Sequence, residues 1–268
     1  MSAQALARSL FAVQPIAFHI VSFEVHWYGI LVMIGFVAGL WTAGRRGVRD
    51  GFAPEVFQDL GIWLIVGTIL GARTLYVTSY WQESFAGHPW TEVFRVWQGG
   101  LVFYGGLIGA SLATIIYARR KKLRLWRLAD ALSPSISLGY FFGRLGCLMN
   151  GCCYGRPTRL PWAIHFPPGG PGYPDGLHPT QLYESFLGLG LYSALAWFYR
   201  RKRFDGQIFA IYLLCYAVLR SFVETFRGDY AIHYLGGWAT PAQLVSLCIF
   251  SAGLLLYWQL PRNEAQPA

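Results

Sequence analysis

The stretch HWYGILVMIGFVAGLWTAGRRGVR (26–49) decides the reading of the fold. Its first part, 26–44, is an unbroken apolar run of about 20 residues, the length a helix needs to cross a bilayer, and it stops abruptly at Arg45, Arg46 and Arg49. The same pattern recurs at 59–80, 99–118, 129–149, 180–199, 207–226 and 239–259. Composition agrees: 54% of the 268 residues are hydrophobic and only 13% are charged, about half the charged content of an ordinary soluble domain. The expectation is an all-α, polytopic membrane protein with seven transmembrane helices, organised as one integral membrane domain over 1–268.

The net charge of +9 resolves into clusters. Arg45, Arg46 and Arg49, the run RRKKLRLWR (119–127), the run RRKR (200–203) and Arg262 follow the first, third, fifth and seventh apolar runs and hold 14 of the 22 basic residues. Arg8, Arg95, Arg156, Arg159 and Arg227 fall on the other side. This bias predicts an outside N-terminus and a cytoplasmic C-terminus, with membrane lipids rather than nucleic acid as the partners of the positive charge. Residues 1–25, interrupted by Gln14, Pro15 and His19, read as an N-terminal arm at the membrane interface. The Pro- and Gly-rich connection 150–179 is long enough to form a small periplasmic cap.

Ionisable groups inside apolar runs are unfavourable unless paired or hydrated, at about 2.5–3.5 kcal/mol each near the bilayer centre. Arg73, Arg144, Arg220, Glu184 and Glu224 therefore call for an explanation, with His26 and His178 at the ends of runs. Arg220 and Glu224 are spaced to pair on one helix face, which leaves Arg227 unexplained. Arg144 lies in GYFFGRLGCLMNGCCYGRPT (139–158), where close glycines let a ligand approach the backbone. A guanidinium there suits a phosphate, to which its planar fork donates two parallel hydrogen bonds. Five cysteines show no CxxC and no usual zinc spacing, so neither a thiol oxidoreductase nor a metal or cofactor site is expected. Whether Cys147, Cys152 and Cys153 form a disulfide is not deducible from spacing, and the absence of Lys in the last run disfavours a retinal protein.

These residues, in order, resemble the prolipoprotein diacylglyceryl transferase family: HWYG from 26, GRLGCLMNGCCYGRPT at 143–158, HPTQLYE at 178–184, RSFVETFR at 220–227 and ATPAQLVS from 239. The resemblance implies a transferase that moves the diacylglyceryl group of phosphatidylglycerol to the lipobox cysteine thiol of a preprolipoprotein and releases glycerol phosphate. It implies catalytic roles for Arg144, Arg227 and Tyr104, and substrate binding by Tyr28, His26, Asn150, Gly151, Gly155, His178, Gln181, Glu184 and Glu224. Some members carry His where this sequence has Tyr104, and Asn and Glu where it has Cys147 and Cys152. A tyrosine of pKa about 10 is a weaker base than imidazole, so the base stays open among Tyr104, His26 and His178. A family paralogue, or a lipid carrier that binds anionic headgroups without transfer, is the alternative.

Overall fold

The computed structural model describes residues 15–20, 23–168, 170, 172–228 and 240–264. Each apolar run of the sequence falls on a long helix: α1 (Trp27–Arg49), α2 (Glu55–Ser79), α3 (Phe103–Arg120), α4 (Leu125–Met149), α5 (Thr180–Phe198), α6 (Gln207–Glu224) and α7 (Pro241–Glu264). α1, α2, α6 and the part of α7 at 241–261 are long and apolar enough to cross a membrane. The other three have their hydropathy lowered by Arg119 and Arg120 in α3, by Arg127, Asp130 and Arg144 in α4, and by Gln181 and Glu184 in α5.

Exposure is inverted relative to a water-soluble globule. Met33, Val37, Trp41, Ile62, Leu70, Trp197 and Leu247 are exposed, whereas Asp130, Ser133, Gln181, Glu184 and Glu224 are buried. Lipid is the solvent that makes this arrangement favourable, since apolar side chains face hydrocarbon while polar groups turn inward.

The chain is not wholly helical. β1 (Ile16–Ile20) pairs antiparallel with β2 (Phe23–His26), and Trp27 donates its backbone N–H to the Pro15 carbonyl, closing the hairpin onto α1. Alternating β-branched and aromatic residues in IAFHI and FEVH explain the strands. The rest of the expected N-terminal arm, 1–14 and 21–22, lies outside the described residues.

Two compact units make up the chain, residues 44–128 and the remainder. In the first of these, α2 and α3 meet backbone to backbone. A Cβ on Gly109 would lie 2.0 Å from the Gly67 carbonyl oxygen, and one on Gly71 2.2 Å from that of Gly105, so only glycine fits. Close approach through small residues replaces the hydrophobic driving force that lipid removes. Arg73 of α2 is fully employed: its guanidinium donates to the carbonyls of Glu92 (2.7 Å), Val93 (2.7 Å), Gly99 (2.9 Å) and Gly100 (3.2 Å), and it lies over the rings of Tyr76 and Phe85. It ties the 90–100 connection to the helix.

In the other unit α1 packs on α4 at Gly35 and Gly139, and the Ser135 hydroxyl donates to the Gly39 carbonyl at 2.6 Å. Asp130 of α4, fully buried, accepts from the backbone N–H groups of Gly206 (2.9 Å) and Phe209 (3.0 Å) and from Lys202 Nζ (3.4 Å). It thus satisfies orphan donors at the α6 N-terminus from a neighbouring helix.

Candidate functional site

The site forms at one end of this unit, where α4 and α6 end and α5 and α7 begin. Glu184, one turn into α5 and 2% exposed, stands between two arginines. Its carboxylate lies 2.9 Å from Arg144 Nε and 3.4 Å from the Arg220 guanidinium. Arg220 also pairs with Glu224 one turn along α6, at 2.6 Å, as their spacing predicts. Glu224 accepts a hydrogen bond from the Thr240 hydroxyl (2.8 Å) and lies 4.0 Å from Arg227 Nε. The Arg144 guanidinium is stacked 4.9 Å over the Tyr140 ring. Among the described residues the cluster contains three guanidiniums and two carboxylates, so it carries one excess positive charge in a largely desolvated setting.

Glycine and the cap set the positions of Arg144 and Arg227. Gly151, at φ +69°, adopts the left-handed conformation that ends α4 after Asn150. Gly155 then runs as a single extended bridge beside Arg227, donating its N–H to the His178 carbonyl (3.0 Å), while Arg156 donates to the Phe226 carbonyl (2.8 Å). A Cβ on Gly155 would lie 2.5 Å from His178 Cβ and 2.7 Å from the Phe226 oxygen. The Arg156 guanidinium also donates to the Thr225 carbonyl. Gln181, buried, donates its amide to the Cys152 carbonyl, and the Thr180 hydroxyl donates to that of Cys153, both at 2.8 Å.

Within the cap, Leu177 exchanges backbone hydrogen bonds with Ile164, and Leu148, Ile164, Phe166 and Leu177 form a small apolar core. An open cleft of about 1230 Å³ is bordered by Trp162, His165, Asp175, Tyr183 and Phe186. It belongs to the cap rather than to the arginine cluster. Trp162 donates its indole N–H to the Tyr183 hydroxyl (2.8 Å), and that hydroxyl lies 3.3 Å from His178 Nδ1. Burial, and then the charge of Arg156, hold His178 below its usual imidazole pKa. Cys153 Sγ lies within 4.8 Å of the Cys147 and Cys152 sulfurs and within the electrostatic reach of Arg144 and Arg227.

The residues singled out by sequence separate into distinct places. Arg144, Glu184, Glu224 and Arg227 come together, joined through Arg220. Asn150, Gly151, Gly155, His178 and Gln181 form the scaffold around them. Tyr28 packs against the Gly146 backbone. His26 is exposed on the hairpin, its Nδ1 3.3 Å from the Glu24 carbonyl oxygen. Tyr104 belongs to the 44–128 unit, exposed in the first turn of α3 with its ring edge-on to Phe103. Sequence reading did not foresee the link from Arg220 to Glu184 or the role of Thr240, because both cross between helices.

Apolar helices of bilayer length around a buried chain of guanidiniums and carboxylates define an integral membrane protein with a charged cluster in its interior. The family model described as prolipoprotein diacylglyceryl transferase matches residues 15–259. Among similar proteins, the phosphatidylglycerol–prolipoprotein diacylglyceryl transferases of Nitratidesulfovibrio vulgaris (strain Miyazaki F) and Gloeobacter violaceus are 39% and 38% identical, each match covering 94% of both chains. That of Bordetella bronchiseptica is 36% identical over 91% of this chain and 94% of its own. The chain belongs to the prolipoprotein diacylglyceryl transferase family.

Proposed function

We propose that this protein transfers the diacylglyceryl group of phosphatidylglycerol to the lipobox cysteine of preprolipoproteins. The observation that carries the reading is the charge of the buried cluster. Three arginines against two glutamates leave one positive charge, and the phosphodiester of phosphatidylglycerol supplies one negative charge. The names of the similar proteins support the same donor and acceptor.

In this reading the acceptor thiolate attacks the glyceryl carbon bonded to the phosphate. A C–S bond forms, the C–O bond breaks, and its electron pair leaves on the phosphate oxygen of glycerol phosphate. Arg144 and Arg227 bind the phosphodiester and stabilise the charge that grows on the leaving group. Glu184, itself paired with Arg220, orients Arg144 by holding its Nε edge, leaving the guanidinium's other donors for the lipid. The positive surroundings raise the ionised fraction of the incoming thiol.

All seven long helices cross the inner membrane in this reading, with the 150–179 cap in the periplasm and the 16–26 hairpin at the interface. The basic run 200–203 lies at the end of α5 opposite the cap, as a cytoplasmic anchor would.

The test is glycerol phosphate release from phosphatidylglycerol by purified protein, with a lipobox peptide carrying Cys or Ala. Release that requires the cysteine is expected, and Arg144→Lys is expected to lower it at least about tenfold, since lysine cannot donate the paired hydrogen bonds. Lipid binding without release overturns the transfer reading and leaves a carrier.

A further inference from the structure

One group of side chains near the arginines has no part in the reaction as written. Cys147, in the last turn of α4, and Cys152 and Cys153, just after it, bring their three Sγ atoms within 4.8 Å of one another. All three are free thiols and partly buried. We propose that they form a three-thiolate site for a soft divalent d10 ion, zinc being the physiological case.

Distance is the first argument. Two sulfurs each about 2.3 Å from one zinc ion are about 3.8 Å apart in a tetrahedral arrangement. A triad already confined to 4.8 Å reaches that geometry by side-chain rotation and a shift of about an ångström or less, without rebuilding the backbone.

The backbone is the second. Residues 147–153 turn back on themselves through two left-handed positions, Gly151 at φ +69° and Cys153 at φ +63°. The second is unfavourable for a residue with a Cβ, and such a conformation persists only where its surroundings impose it. Here they do so: the Cys152 N–H donates to the Cys147 carbonyl (3.1 Å), while Gln181 and Thr180 fix the carbonyls of Cys152 and Cys153. Three hydrogen bonds, two of them from a second segment, thus hold three thiols toward a common point.

Donor chemistry and charge are the third. Thiolates select soft ions over magnesium or calcium. Three thiolates and one zinc ion carry a net charge of −1, and Cys153 lies within the electrostatic reach of the Arg144 and Arg227 guanidiniums. Zinc binds with release of the thiol protons and no change of oxidation state. Three protein ligands leave its fourth position to an exogenous ligand.

The experiment uses the full-length protein in detergent, reduced, stripped of metal and titrated anaerobically with Co²⁺ as the probe. The expected result is sulfur-to-cobalt charge-transfer absorbance that saturates at one equivalent per chain and is abolished by added Zn²⁺. Cys147→Ser and Cys153→Ser each lose the saturating band, whereas Cys215→Ser and Cys248→Ser keep it. Because a serine variant can fail to fold, wild-type protein is also alkylated with iodoacetamide with and without Zn²⁺. Zinc should protect Cys147, Cys152 and Cys153 and leave Cys248, which is exposed, reactive. Three results each overturn the proposal: no band at one equivalent, equal alkylation of all cysteines with zinc, or a disulfide joining two of the three in protein isolated without reductant.

Discussion

Glu184→Gln removes one negative charge and almost no volume from the centre of the cluster. Glu184 lies 2.9 Å from Arg144 Nε and 3.4 Å from Arg220, and its side chain is 2% exposed, so water cannot replace the lost charge. The excess charge of the cluster rises from one to two, and the two guanidiniums that shared a carboxylate face an amide. Removing one partner of a buried ion pair costs about 3–5 kcal/mol. At about 2 °C per kcal/mol for a chain of this length, the melting temperature of purified protein in detergent should fall by about 6–10 °C. Phosphatidylglycerol, which brings a negative charge to the same place, should recover part of that loss, whereas phosphatidylethanolamine, with no net charge, should not. Adding Arg220→Gln to Glu184→Gln should cost less than the sum of the two single changes, because the second removes the cation the first left exposed. A melting temperature within about 1 °C of wild type, or equal recovery by the two lipids, would refute the charge argument and with it the assignment of the headgroup site.

Gly109→Ala should force α2 and α3 apart, because its Cβ would lie 2.0 Å from the Gly67 carbonyl oxygen. A loss of about 1–3 kcal/mol is expected in thermal unfolding, against no measurable change for Gly190→Ala, whose Cβ meets nothing within 4 Å. Arg73→Gln gives up most of four carbonyl contacts, and limited proteolysis should then cut between residues 86 and 100 well before any other site. His178 should titrate below 6.5 by NMR. A depressed imidazole pKa means that the folded state favours the neutral ring, so its contribution to stability is present above pH 6.5 and is lost as the pH falls through the lower value. Wild type should therefore lose stability in that acidic window more steeply than His178→Gln.

Helix positions were legible because an apolar run of bilayer length has few alternatives. Helix ends were less so. α1 continues from the apolar run through Arg49, and α4 begins at Leu125, four residues before its run, since arginine and lysine propagate a helix as well as leucine does. The hairpin at Ile16–His26 escaped because its alternation is short and broken by irregular pairing between Ile16 and Phe18. Within the site, the pair Arg220–Glu224 was readable from spacing along one helix. The bridge from Glu184 to two other helices was not, since nothing in HPTQLYE says which cations its glutamate will meet. Arg73 shows the converse. As a lone cation in an apolar run it resembles a functional group, yet its partners are carbonyls some twenty residues away, a purely architectural use.

α6 is pinned at both ends by charge. Asp130 holds its first turn through Gly206 and Phe209, and Glu184 and Thr240 hold its last turn through Arg220 and Glu224. The whole helix is 18 residues, about 27 Å, long. A rod anchored in this way does not slide or rotate freely, so the phase of the helix at Asp130 sets where Arg220 and Glu224 point. An aspartate at the far end of the bundle is thereby a calibration point for the arginines, and its loss would be read there as an error of aim before it was read as a loss of charge.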